Sequence, residues 1–152
     1  MFITFSQITM QMSTKYNAVH FGVKMTISDE NLIHIKYPSD IDFGLKQAKA
    51  LDKIIQKQVG LEDYDLIVDL TDSFGNMTKE AQKFFAQDAQ SIPQIRASAL
   101  IVNNLPIRIL VKFYLNFFKP PYSTKIFPSL EPAKTWLNSI KDMDATRTSN
   151  VG

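Results

Sequence analysis

Carboxyl and hydroxyl side chains cluster between Asp69 and Thr78, in the stretch DLTDSFGNMT. This stretch follows the apolar run YDLIVDL, from Tyr64 to Leu70, which has the length of a short strand. Open α/β sheets bind ligands at the carboxyl ends of their strands, so Asp69, Asp72 and Ser73 form a candidate loop site. The carboxylates suit Mg²⁺ binding or phosphoryl acceptance, and the alternative is that these acids only shape a turn.

Other catalytic side chains are sparse in this sequence. It contains no Cys and only two His, and the predicted turn before His34 places that residue opposite Met25 and Thr26, away from His20. Gly75 lacks the surrounding motif of a phosphate-binding loop. We therefore predict a protein with no metal and no cofactor, and we find no catalytic constellation in the sequence.

The stretch from Leu105 to Lys119, LPIRILVKFYLNFFK, predicts an unusually apolar helix. At about 100° per residue, its polar side chains fall on one narrow stripe and its apolar side chains sweep roughly 240°. A helix that lies on a sheet needs an apolar stripe of somewhat over ~100°. A second surface of this helix must therefore be covered by another helix, a subunit, a ligand or a membrane.

Two sets of residues follow from that excess. The first is an interaction surface for a protein partner or a second copy of the chain, formed by Arg108, Lys112, Tyr114 and Phe118. The second is a cavity for a lipid or another apolar ligand, lined by Leu110, Phe113, Phe117 and Trp136. The same helix also suits a membrane interface, whereas four cations are few for nucleic acid, which we do not expect as a partner.

The elements that position these residues begin with an antiparallel hairpin, whose strands are predicted at residues 17–27 and 32–37. Strands at 64–70, 97–102 and 124–127 then alternate with helices that follow at 78–90, 105–119 and from 129 onward, and a further helix is predicted at 42–58. The result is an α/β fold with a mixed sheet of about five strands and about four helices. We predict an N-terminal extension at 1–16, one domain at 17–141 and a flexible tail at 142–152, and the alternative for residues 1–15 is a short extra strand.

Composition places the protein among ordinary globular domains, with 45% hydrophobic and 21% charged residues and a net charge of +2. The absence of Cys is compatible with a reducing cytoplasm. No segment reaches the length of a membrane span, and no signal peptide is apparent, so a cytoplasmic location is expected. The charge is uneven: residues 91–130 contain five basic side chains and no acidic one.

This pattern resembles the STAS superfamily, and in particular its small bacterial branch grouped with anti-sigma-factor antagonists and CRAL-TRIO-type lipid-binding domains. The resemblance rests on the strand that ends VDLTD, the FF pair, the run NFFKPPYSTKIFPS and the closing EPAKTWL. It implies a STAS-like fold and a regulatory or protein-interaction role, with lipid binding as the alternative.

The resemblance also draws attention to Thr78. Antagonist proteins are switched by phosphorylation of a Ser in an Asp-Ser-Ser-Gly signature at a helix N-terminus, and Thr78 lies nearest to that position, although the signature itself is missing. A phosphate there would gain from the free backbone amides and the helix dipole. The alternative is that Thr78 only caps the helix.

Overall fold

A computed structural model of the protein describes residues 14–38, 42–71 and 77–150, with backbone only from residue 145 onward. Six strands were found in these ranges: β1 Thr14–His20, β2 Val23–Ser28, β3 Leu32–Lys36, β4 Tyr64–Asp69, β5 Ile95–Ile101 and β6 Ser123–Phe127. The helices are α1 Leu45–Val59, α2 Lys79–Lys83, α3 Leu105–Phe118 and α4 Leu130–Asn150. A π-helical turn, Phe84–Asp88, continues α2, and a short 3-10 turn, Ile92–Gln94, precedes β5.

The six strands form one mixed sheet in the order β1-β2-β3-β4-β5-β6. β2 is antiparallel to both of its neighbours, β1 and β3, and β3 to β6 run parallel. Parallel neighbours need crossover connections, which α1, α2 and α3 provide. The predicted mixed α/β fold with an antiparallel N-terminal hairpin and four helices is therefore confirmed.

The helices cover the two faces of the sheet unequally. Apolar side chains of α1, α2 and α3, represented by Leu51, Ala81 and Val111, share one core with β2, β3, β4 and β5. On the opposite face, α4 alone packs on the sheet, where Ala133 and Leu137 pack with β5 and β6. Buried strands with helices on both faces explain why β5 carries no alternation of polar and apolar residues.

One predicted strand is wrong, because residues 17–27 form two strands instead of one. They turn at Phe21 and Gly22, whose φ angles are +55° and +78°, as in a two-residue hairpin turn of type I′. His20 pairs with Val23 across this turn, so Val19 lies with Lys24 on the other face and is 61% exposed. Apolar residues alternate with other residues on both sides of this turn and within it, so the sequence pattern alone predicted one continuous strand.

The structure also extends past both predicted limits of the domain. β1 begins at Thr14, within the predicted extension, and α4 continues from residue 141 to Asn150, through the predicted tail. Residues 142–150 contain neither Gly nor Pro, so no helix breaker ends α4 there. None of the helices in the described ranges has the length and apolar character of a membrane span.

Candidate functional site

Helix α3 is fixed at both ends by local signals in its sequence. Asn104 caps the N-terminus, where its side-chain oxygen accepts a hydrogen bond of 3.0 Å from the amide of Ile107. Pro106 occupies the first turn, where its missing N–H costs nothing. Lys119 ends the helix in a left-handed conformation, and two prolines follow.

The inner side of α3 is narrow. Val111 is fully buried, and Ile107 and Leu115 are partly buried beside it. Five other large apolar side chains point away from the core and are between 47% and 78% exposed. We call them the outer α3 patch: Leu105, Ile109, Leu110, Phe113 and Phe117. At about 100° per residue, the outer α3 patch occupies one continuous flank of the helix.

Three cations lie on the flank beside this patch. Arg108, Lys112 and Lys119 are all exposed, and residues 91–130 contain no acidic side chain. A contiguous apolar surface with a charged border is typical of interaction sites. The outer α3 patch is thus the second surface that the sequence predicted for this helix.

The four residues predicted to form the interaction surface do not share one face of α3, because the orientation of the helix exposes two of them and partly buries the other two. Arg108 and Lys112 are exposed beside the outer α3 patch, as expected for border charges. Tyr114 and Phe118 instead lie half-buried, because Val111 and not the aromatic side points to the centre of the core. Their rings contact each other at 5.6 Å between centroids.

The predicted ligand cavity is wrong, since its four residues do not meet. Leu110, Phe113 and Phe117 belong to the exposed patch. Trp136 lies on the opposite face of the sheet, where its ring contacts Phe127 at 5.5 Å between centroids. The helical periodicity of α3 identified its apolar side chains but could not show which of them faced the sheet.

A cavity does exist elsewhere, between the sheet and helices α1, α2 and α3. It has a volume of about 90 Å³ and is lined mainly by apolar side chains. Pockets for drug-sized ligands usually measure about 300 Å³ or more. This cavity is therefore too small for the lipid or carrier ligand that the alternative interpretation required.

The candidate loop site after β4 is described only in part. Asp69 accepts hydrogen bonds through Oδ1 from the amide of Thr71 at 2.9 Å and from its hydroxyl at 2.7 Å. Such bonds shape a tight turn, and the candidate loop site itself stays a prediction. Asp72 and Ser73 lie outside the described residues. Among those described, no three side chains of the types that bind metals lie together.

Thr78 caps α2, since its hydroxyl oxygen accepts a hydrogen bond of 3.2 Å from the amide of Ala81. The capping role is confirmed, whereas phosphorylation of Thr78 stays a prediction. The two histidines lie on different faces of the sheet: His20 pairs with Val23 on the core side, and His34 pairs with Thr26 on the other. They do not form a common site.

His34 lies near groups from two other elements. Burial lowers the pKa of His34 from its usual value of 6.5, because desolvation disfavours the charged ring. Asp69 on β4 opposes this shift, whereas Lys134 on α4 and the neighbouring Lys36 add to it. The ring is thus held in its neutral form at neutral pH.

Asp52 is an important residue that the sequence analysis did not identify. This carboxylate is 3% exposed and accepts hydrogen bonds from the amides of Gln90 and Ser91, at 3.0 and 3.3 Å, and from the Ser91 hydroxyl. It connects α1 to the end of the π-helical turn. The signal was present, because Asp52 falls on the apolar stripe of α1 together with Ala48, Leu51 and Ile55.

Comparison with known families gives a match over most of the chain. A family model described as a domain of unknown function, DUF7793, matches residues 25–141, well over half of the 152-residue sequence. The chain belongs to the DUF7793 family. No curated protein matches this DUF7793 chain.

A solved structure has a fold similar to that of the DUF7793 chain. It is an uncharacterized protein of the DUF3478 family from Shewanella loihica PV-4, described as having a SpoIIAA-like fold. The TM-score is 0.56 at 12% identity, and the alignment covers 83% of the DUF7793 chain and 98% of the other. This similarity shows the fold alone, and it confirms the STAS-like fold that the sequence resemblance implied.

Proposed function

We propose that this protein is a non-catalytic interaction module that docks an acidic protein partner through the outer α3 patch. The observation that supports this most strongly is the exposure of two Phe side chains on one helix, 71% at Phe113 and 78% at Phe117. Soluble proteins rarely leave several large apolar side chains together in water unless the surface binds something.

Burial of this patch would supply much of the binding free energy. A fully buried Phe side chain contributes roughly 1.5 to 3 kcal/mol relative to an exposed one. Ile109, Phe113 and Phe117 follow one another at intervals of four residues on the same flank of α3, and all three are exposed. A partner that covers all three therefore has a compact apolar anchor at the centre of its contact.

The charges beside the patch argue for an acidic partner. Arg108, Lys112 and Lys119 border it, and no acidic residue occurs in residues 91–130 to neutralise them. Two copies that met symmetrically through this face would bring these cations against their own equivalents, which is unfavourable. A partner with carboxylates around an apolar centre avoids that repulsion, so we favour a different protein over a second copy.

A lipid or apolar-ligand carrier is the less supported function. It needs an enclosed site of at least ~300 Å³, and the cavity under α3 measures about 90 Å³. The residues first expected to line a larger cavity point outward or lie on the other face of the sheet.

The test compares two variants of the full-length protein. Phe113→Ser with Phe117→Ser removes the apolar anchor, and Leu61→Ser is the matched control, because Leu61 is 97% exposed but lies outside the patch. The protein that co-purifies with the wild type is identified and purified, and its affinity for each variant is measured by calorimetry.

The double variant should bind this partner at least about 100-fold more weakly, since roughly 2 kcal/mol is lost per ring. The Leu61→Ser variant should bind like the wild type, and added salt should weaken binding because border charges contribute. Equal affinities for all three proteins would contradict the proposal, as would binding of the patch to anionic vesicles in place of a protein.

A further inference from the structure

The cavity of about 90 Å³ lies between the sheet on one side and helices on the other, and it is partly open to the surface. Its floor is formed by Leu66 and Val68 of β4 and by Leu100 of β5. Phe85 of the π-helical turn and Tyr114 of α3 line the side of the cavity that faces the helices. The cavity is separate from the outer α3 patch, which lies on the opposite side of α3.

The size of this cavity distinguishes it from ordinary packing defects. Protein cores leave few voids larger than one water molecule, whose share of liquid volume is about 30 Å³. An apolar cavity of about 150 Å³ in another protein binds benzene, so volumes on this order admit single small rings. The cavity under α3 is smaller than that, so a single small ring is the upper limit for the size of its ligand, and a lipid chain is too large.

Besides the buried polar residues Asp52, Ser91 and Ser98, the cavity lining has one polar corner that two tyrosines form. Tyr114 and Tyr122 both line it, and their hydroxyls are hydrogen-bonded to each other. The Tyr122 hydroxyl also donates a hydrogen bond of 3.1 Å to the carbonyl of Phe85. Burial raises the pKa of both phenols, that of Tyr122 to about 12, so both remain neutral and able to donate and accept hydrogen bonds.

The π-helical turn shapes the wall that faces this corner. The amide of Ala89 bonds to the carbonyl of Phe84 at 2.8 Å, which makes the turn wider than an α-helical one. Phe85 and Ala89 both face the cavity, and the small Ala89 side chain leaves space there. Insertions of this kind in helices are frequent at functional sites.

We propose that this cavity binds a single-ring aromatic molecule that carries a hydroxyl group. The ring would lie between the apolar floor and Phe85, and the hydroxyl would join the Tyr114 and Tyr122 hydroxyls. This site is additional to the docking function proposed above and does not depend on it.

The test uses phenol and benzene as probes on the full-length protein, with binding followed through the methyl resonances of the protein. Both probes should shift the methyl signals of Leu66, Val68 and Leu100, and phenol should bind more tightly than benzene. Tyr114→Phe removes one hydroxyl without changing the ring, so it should weaken phenol binding about fivefold and leave benzene binding unchanged. Equal affinities of the wild type for phenol and benzene would overturn the hydroxyl recognition.

A second variant fills the site. Leu100→Phe adds volume at the cavity floor and should abolish binding of both probes, whereas Leu61→Phe makes the same change at an exposed position and should bind like the wild type. Unshifted cavity methyl signals at saturating probe, or unchanged phenol binding in Leu100→Phe, would overturn the proposal. Tyr114→Phe keeps the test informative if Leu100→Phe does not fold.

Discussion

Asp52 lies on the buried stripe of α1, and hydrogen bonds from three other residues stabilise its carboxylate there. A buried carboxylate is costly unless its oxygens are hydrogen-bonded. Two amides and one hydroxyl from the segment after the π-helical turn satisfy it, together with the side chain of Gln56 at 2.7 Å. One residue of α1 therefore orients the chain between α2 and β5.

We predict that Asp52→Asn lowers the free energy of unfolding by about 2 kcal/mol. The substitution replaces one acceptor oxygen by an NH₂ group that faces amide donors, and hydrogen bonds to charged groups are worth about 1.5 to 3 kcal/mol. Urea unfolding measures the change. Asp63→Asn, at an exposed position, is the matched control and should unfold like the wild type; equal stability of both variants would contradict this role of Asp52.

The lowered pKa of His34 makes stability depend on pH in one direction. Below the usual pKa of 6.5 the unfolded chain takes up a proton that the native ring resists, so stability should fall as the pH drops through this range. Unfolding free energies at a series of pH values from 8 to 5 test this for the wild type and for His34→Gln. The variant should lose part of the pH dependence, and identical slopes would contradict the prediction.

At the scale of elements, periodicity predicted which segments are strands and which are helices. It did not predict which side of each element points to the core. The parallel strands, the helix caps at Asn104 and Thr78 and the αβ order follow from local sequence signals. The rotation of α3 depends on how Val111 fits the core, which is a tertiary effect. For that reason the sequence showed that α3 has more apolar side chains than packing on the sheet requires. It did not show which of these side chains are exposed, so Leu110, Phe113 and Phe117 were assigned to a buried cavity.

The turn between β1 and β2 shows the same limit. Its type I′ geometry usually uses Asn-Gly, and Phe-Gly does not signal it. Phe21 adopts a positive φ of 55° although it is a bulky residue, and this conformation costs on the order of 1 kcal/mol. The turn therefore stores strain at an exposed side chain.

We predict that Phe21→Asn raises the free energy of unfolding by about 1 kcal/mol, because Asn tolerates positive φ and supplies the preferred Asn-Gly turn. Thermal and urea unfolding of the variant measure the gain. Val19→Asn replaces another exposed apolar residue of the same hairpin, and it should give no such gain. A loss of stability in Phe21→Asn would show that the Phe21 ring contributes more than the turn geometry costs.

At the scale of the whole molecule, the two faces of the sheet are covered by different numbers of helices. Three helices bury the core on one side, and α4 alone covers the other, where its apolar residues share a cluster with β4, β5 and β6. The most apolar of the exposed surfaces described lies on the outside of α3, at the centre of an acid-free stretch of sequence. The docking function proposed for this DUF7793 protein depends on that one surface.

Photo-crosslinking from within the outer α3 patch shows what binds this surface in the cell. In the full-length protein, Phe113 is replaced by the photoreactive residue benzoyl-phenylalanine, and the cells that produce this variant are irradiated. A variant with the same replacement at the exposed Leu61 is the control. We predict a crosslink from position 113 to one acidic protein that is missing from position 61. Equal crosslinking at both positions, or a product from position 113 that consists only of two copies of this chain or of lipid, would contradict the account.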